Sequence, residues 1–90
     1  MTDEPVHTLP IEDALDLHAF APRDIPSVVD DYLHAAAETG FQVVRLIHGR
    51  GIGVQRAAVH RVLRTHPCVV SFHDAPDAHL GATLAALRRP

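Results

Sequence analysis

The sequence predicts a small α/β domain, an α+β sandwich in which two helices pack on one face of a mixed four-stranded sheet. Short apolar segments of strand length alternate with two longer segments of helical spacing, which gives the order β-α-β-α-β-β. The 90 residues suit one domain, and 47% apolar with 21% charged residues is typical of a folded chain. We expect one domain over residues 9–90, preceded by a mobile tail over residues 1–8.

The first strand is predicted over residues 14–18, where apolar and polar side chains alternate. Leu15 and Leu17 then point to one face, and Asp16 and His18 are neighbours on the other. A carboxylate beside a histidine orients the imidazole ring. An exposed strand face without a function is the alternative interpretation of this pair.

The first helix is predicted to begin near Ile25, and its apolar positions are Ile25, Val28, Val29, Tyr32, Leu33 and Ala36. Pro26 is expected to delay the regular helix by a few residues, and Gly40 to end it. A nearly continuous apolar strand follows over residues 41–47, as expected for a buried parallel strand.

The strand–helix–strand unit predicts parallel strands, so that His18 and His48 end neighbouring strands at one edge of the sheet. A glycine-rich turn follows the second strand, His48-Gly49-Arg50-Gly51, with Gly53 just beyond. Strand, glycine turn and helix in this order bring backbone N–H groups against an anion. A tight turn without a ligand is the alternative.

The second helix is predicted over residues 54–66, with Ala58, Val59, Val62 and Leu63 facing the core and Gln55, Arg56, His60, Arg61 and Arg64 facing solvent. A third strand over residues 68–72, a connecting loop over 73–80 and a fourth strand over 81–87 complete the predicted elements.

The charge distribution favours a polyanionic partner. The formal net charge is −3, but residues 41–90 contain seven arginines, two acids and no lysine, whereas residues 1–40 contain nine acids and one arginine. Arginine binds phosphate through a bidentate fork, so the second half predicts a DNA- or RNA-binding face. Pairing of the two halves with each other is the alternative.

Cysteine content and hydropathy bear on location. The single cysteine, Cys68, allows no internal disulfide and no paired zinc ligands, which favours a reduced, cytoplasmic setting. No apolar run approaches the roughly 18 residues of a membrane span. We therefore expect no membrane partner. No residue is assigned as a metal ligand, and the chain is expected to be a monomer or a weak homodimer.

Four motifs resemble those of the Smr (small MutS-related) domain family: Leu15-Asp16-Leu17-His18, His48-Gly49-Arg50-Gly51, His66-Pro67 and Gly81-Ala82-Thr83. The resemblance implies the fold predicted above and nucleic-acid binding. In several members it also implies endonuclease activity on DNA or RNA, with or without a metal, of the kind used in DNA repair and recombination. The chain departs from the family at Ala19, where a glycine is common, and in a shorter loop at Ala78-His79-Leu80.

The predicted binding site holds a phosphate on the N–H groups of Gly49, Gly51 and Gly53 at the start of the second helix. Arg50 and Arg56 are predicted to add positive charge to this site. Phe20, just past the first strand, is the candidate for stacking on a base.

The predicted catalytic residues are Asp16, His18 and His48. His18, oriented by Asp16, is the expected general base toward water or an RNA 2′-hydroxyl, and His48 the acid on the leaving oxygen. A divalent cation such as Mg²⁺ or Mn²⁺ at Asp16 and His18 is the alternative to a metal-free reaction. A non-catalytic nucleic-acid- or ribosome-binding module and a protein-interaction domain are the competing hypotheses.

Overall fold

The computed structural model describes residues 11–49, 51 and 53–89. The elements are, in chain order, β1 (Ala14–Asp16), a 3-10 turn (Pro22–Asp24), α1 (Ile25–Thr39), β2 (Val43–Ile47), α2 (Val54–Thr65), β3 (Val69–Asp74) and β4 (Ala82–Leu87). This confirms the predicted order. The tail predicted for residues 1–8 lies outside the described residues, as does Arg50.

The sheet has the strand order β1-β2-β4-β3. β1 pairs in parallel with β2, as the strand–helix–strand unit predicts, and β4 runs antiparallel to both β2 and β3. The strand latest in the chain therefore lies inside the sheet, between β2 and β3. Its first residues reach the same edge at which β1 and β2 end, because Ala82 pairs with Ile47.

The first strand is shorter than predicted and ends at Asp16. The Leu17 N–H still donates to the Ile47 carbonyl at 2.9 Å, but the His18 N–H donates to the Asp16 carboxylate at 2.9 Å. The Asp16 carboxylate thus closes a local turn at His18, beyond the last pairing of β1 with β2.

The ends of the helices follow proline and glycine chemistry. The expected delay at Pro26 is wrong, because α1 begins at Ile25. The backbone N–H groups of a first helical turn have no partner within the helix, so a proline there costs no hydrogen bond. Gly40 ends α1 as predicted, with φ +100° and its N–H donating to the Ala36 and Ala37 carbonyls. α2 stops at Thr65, since His66 precedes a proline and is extended.

One apolar core joins the helices to the sheet. Its fully buried members include Leu17, Ile25, Val29, Leu33, Leu46, Val59 and Ala85. The core confirms the predicted inward positions Val59 and Leu63 of α2, with Ala58 and Val62 half-buried beside them. In the described part of the chain, neither helix is long and apolar enough to cross a membrane.

The prediction that His60 faces solvent is wrong. Its ring is only 9% exposed, because it reaches across to β4 and lies edge-on to Phe72 with 5.0 Å between ring centroids. The Nε2 atom of His60 is 2.8 Å from the hydroxyl of Thr83, so the buried polar atom is paired.

Candidate nucleic-acid site

A pocket of about 370 Å³ opens at the carboxyl ends of β1 and β2. It is lined by His18, Pro22, His48, Gly49, Gly51, Gly53, Val54 and Gln55. The two motif-bearing turns, far apart in the chain, therefore meet at one edge of the sheet. This is the juxtaposition that a parallel strand–helix–strand unit dictates.

Asp16 and His18 form a close pair at the rim of the pocket. The ring Nδ1 of His18 lies 2.6 Å from Oδ1 of Asp16, and the His18 backbone N–H donates to the same oxygen. Chiefly because of that backbone bond, and then the ring bond, the pKa of Asp16 lies below its usual value. The ionised carboxylate accepts the Nδ1 proton, which leaves the lone pair of His18 on Nε2.

Gly49 faces that Nε2 atom. Its φ is +83°, and a Cβ atom at this position would be 3.0 Å from Nε2 of His18. The backbone conformation thus favours glycine, and a Cβ atom at this position would press against the tip of the His18 ring.

The Gly49 N–H does not point to an anion as predicted. It donates to the Gly81 carbonyl at 2.9 Å, and the His48 N–H donates to the same carbonyl at 3.1 Å. The glycine turn is therefore held against the start of β4. Gly51 and Gly53 line the pocket at the beginning of α2, where the N–H groups of a first helical turn lie.

His48 is turned inward and is only 3% exposed. Its Nε2 is 2.9 Å from the Thr83 hydroxyl and its Nδ1 is 3.1 Å from the Gly49 carbonyl. Burial is the main reason that its pKa lies below the usual value. Both nitrogens have internal partners, so the structure does not support the predicted role of His48 as the acid on the leaving oxygen.

Arg56, predicted to bind phosphate, instead forms a bidentate pair with Asp74. Nε and Nη2 of the guanidinium lie 2.8 and 2.7 Å from the two carboxylate oxygens. The hydrogen bonds from Arg56 are the main cause of a pKa for Asp74 below its usual value. Since this fork is already occupied, the charge of Arg56 is matched within the protein.

Among the residues that the structure describes, no arginine forms a salt bridge with the acidic first half of the chain. In the described residues, the arginine salt bridges are Arg56–Asp74 and Arg45–Asp77, both internal to the second half. Asp30 of α1 lies beside His34 and His66 and not beside an arginine, and Arg61 and Arg64 on α2 are exposed. This argues against the alternative that the two halves neutralise each other.

A second group of potential metal ligands, Asp30, His34 and His66, lies between α1 and the end of α2. The His66 Nδ1 accepts the Cys68 N–H at 3.1 Å, so the ring proton of the neutral form is on Nε2. That buried Nε2 is 2.9 Å from the Asp30 carboxylate, without the alignment of a hydrogen bond. A metal would need the lone pair that this tautomer lacks, so the group is better described as a polar link between helices.

Sequence reasoning missed Thr83, His60 and Asp74 as parts of the site. The sequence motif contains Thr83 but predicts no contact for it, and the helical spacing places His60 on the solvent side. The available signal for His60 was its position next to Val59 and three residues before Leu63, at the border of the buried stripe.

The fold and the pocket define a small α/β domain with paired histidine-bearing turns at one sheet edge. A family model described as the Smr domain matches residues 15–88. The chain belongs to the Smr domain family.

Similar proteins include two described as endonuclease MutS2. That of Caldicellulosiruptor saccharolyticus is 42% identical over 62 residues, 67% of this chain and 8% of that protein. That of Brevibacillus brevis is 38% identical over 76 residues, 82% of this chain and 10% of that protein. The chain thus spans about a tenth or less of the length of these relatives.

Two solved structures are similar over most of this chain. The Smr domain of Thermus thermophilus MutS2 has a TM-score of 0.78 at 36% identity, covering 83% of this chain and 96% of that one. YdaL, a stand-alone small MutS-related protein from Escherichia coli, has a TM-score of 0.79 at 26% identity, covering 89% of this chain and 67% of that one.

Proposed function

We propose that this domain, over residues 9–90, binds DNA or RNA at the pocket between His18 and the glycine turn and cleaves a phosphodiester bond there. The observation that carries the proposal is the Asp16–His18 pair: its Nε2, which has no hydrogen-bond partner among the described residues, lies beside Gly49 in the lining of the pocket. The similarity to proteins described as endonuclease MutS2 supports it. The single cysteine supports a cytoplasmic location.

The chemistry follows from the proton positions. Asp16 holds the Nδ1–H of His18, so Nε2 accepts a proton from water or from a 2′-hydroxyl as that oxygen attacks phosphorus. The P–O bond to the leaving oxygen breaks, and this oxygen receives the proton back from the imidazolium directly or through a water. Gly51, Gly53 and the start of α2 stabilise the negative charge of the phosphate, to which Arg50 adds a cation.

A metal-assisted reaction is a variant of this proposal. Among the described residues, Asp16 is the carboxylate in contact with His18, and its Oδ1 already accepts two bonds from His18. Mg²⁺ or Mn²⁺ would have to bind through the other carboxylate oxygen or in place of the His18 contact. Cleavage with and without EDTA separates the two variants.

A non-catalytic nucleic-acid- or ribosome-binding module is the second candidate. The observation in its favour is the internal pairing of both His48 nitrogens, which leaves His18 as the only described histidine of the pocket lining with a ring nitrogen open to substrate. In this case the same pocket binds a phosphate and the bond stays intact.

The test is a cleavage assay on supercoiled DNA and on labelled structured RNA, with binding measured in parallel. His18→Ala should abolish cleavage and retain binding, whereas His73→Ala, at an exposed histidine of β3, should behave as the parent. Unchanged turnover in His18→Ala would contradict the catalytic proposal. Binding without cleavage by the parent chain on both substrates would favour the second candidate.

A further inference from the structure

Two buried histidines share one hydroxyl group in the interior behind the pocket. The Thr83 Oγ1 lies 2.9 Å from Nε2 of His48 and 2.8 Å from Nε2 of His60. A hydroxyl has one proton to donate and two lone pairs, so at most one of the two rings can accept from it and at least one must donate to it. The partners of the remaining atoms decide which ring does which.

The Gly49 carbonyl fixes the direction. A carbonyl can only accept, so Nδ1 of His48, 3.1 Å away, carries the proton. Nε2 of His48 then has the lone pair and accepts the Thr83 O–H. The hydroxyl is left to accept the Nε2–H of His60. With both rings neutral, only this arrangement makes all three hydrogen bonds of the series His60–Thr83–His48–Gly49.

The surroundings agree with two neutral rings. Burial is the leading cause that lowers the pKa of His48 and of His60, and the nearby charge of Arg56 also lowers both. Asp74 lies 3.8 Å from the Nε2 of His60, which favours a proton on that nitrogen. The bidentate Arg56–Asp74 pair lies at the His60 end of this hydrogen-bond network, and its two charges compensate each other.

We propose that Thr83 and His60 are positioning residues, which hold His48 as a neutral ring with its proton on Nδ1 so that His48 fixes the Gly49 carbonyl and does not exchange protons with substrate. The same strand also holds this turn through its backbone, because the Gly81 carbonyl accepts from His48 and Gly49. β4 thereby sets the position of Gly49 opposite Nε2 of His18. The consequence for cleavage rests on the proposed function; the proton assignment does not.

The primary test is nitrogen-15 NMR of the histidine side chains of the full chain near pH 7.5, which distinguishes the two neutral tautomers from the protonated ring. We expect His48 with its proton on Nδ1 and His60 with its proton on Nε2. A proton on Nε2 of His48, or a protonated His48 ring, would overturn the assignment whether or not the protein cleaves nucleic acid.

A matched pair of variants tests the positioning role. Thr83→Val keeps the shape without the hydroxyl, and Thr83→Ser keeps the hydroxyl. We expect mixed tautomers at His48 and cleavage slower by about tenfold or more in Thr83→Val, both restored in Thr83→Ser. Parent-like tautomers and turnover in a folded Thr83→Val would refute the role. If Thr83→Val does not fold, Thr83→Ser with disturbed His48 tautomers would refute it equally.

Discussion

The Nε2 atom of His18 lies 3.0 Å from the point that a Cβ atom would occupy on Gly49. The ring of His18, the candidate base, thus lies directly beside the glycine turn, although the two are some thirty residues apart in the chain. Any side chain at position 49 would cover the ring nitrogen that the proposed reaction uses.

Gly49→Ala should therefore abolish cleavage. It should also lower stability by about 1 to 3 kcal/mol, because alanine is strained at a φ of +83°. The control is Gly40→Ala, which has a similar strain at φ +100° but has open space around it and lies at the end of α1. Turnover and thermal melting should be measured for both. Equal turnover in the two variants would mean that access to Nε2 of His18 is not needed.

Asp16→Asn should slow cleavage by roughly a hundredfold or more, because the amide can donate to Nδ1 of His18 and so favour the unproductive tautomer. The lowered pKa of Asp16 means that the carboxylate remains ionised at neutral pH. Asp31→Asn, at an exposed acid of α1, is the matched control for loss of a negative charge. Single-turnover rates on the preferred substrate decide the matter, and equal rates in both variants would exclude a role for the pair.

Stability should fall as the pH drops below about 6.5, the usual pKa of histidine. His48 and His60 have lowered pKa values in the folded state, so the unfolded chain takes up protons first. The unfolded state then binds more protons, and the free energy of unfolding decreases toward lower pH. Urea denaturation between pH 7.5 and 4.5 measures this slope above the range in which Asp74 titrates.

One histidine of the pair can be removed to check that interpretation. His60→Gln should reduce the slope of the unfolding free energy against pH. Without His60, the unfolded state gains fewer protons relative to the folded state as the pH falls. His73→Gln, at an exposed histidine, should leave the slope unchanged. If the slope of His60→Gln equalled that of the parent chain, the dependence would have to originate elsewhere.

Salt dependence of binding should separate two arginines. Arg50→Ala should lower the slope of log affinity against log salt by about 1, as expected for the loss of one phosphate contact. The double change Arg56→Ala/Asp74→Ala keeps the net charge and should leave the slope as it is, since those charges already match each other. A reduced slope in the double variant would place Arg56 on the nucleic acid. An unaltered slope in Arg50→Ala would remove Arg50 from the interface.

Local patterns were sufficient to predict the order of elements and the meeting of His18 with the glycine turn. The spacing of the hydrophobic residues along the chain defines the strands and helices. The right-handed crossover of a strand–helix–strand unit then places the carboxyl ends of its two parallel strands at one edge of the sheet. The partners inside the sheet could not be predicted in this way. Whether His60 faces solvent, or Arg56 is free to bind phosphate, depends on β3 and β4, whose positions follow from packing rather than from local spacing.

The strand order has a consequence for synthesis. Thr83 and Gly81, which hold the glycine turn in place, come from the last strand, although that strand lies inside the sheet. A nascent chain that has exposed both histidine motifs still lacks the strand that holds them in register. The placement of Gly49 opposite His18 is therefore incomplete in a partly translated polypeptide and is reached only when β4 inserts between β2 and β3.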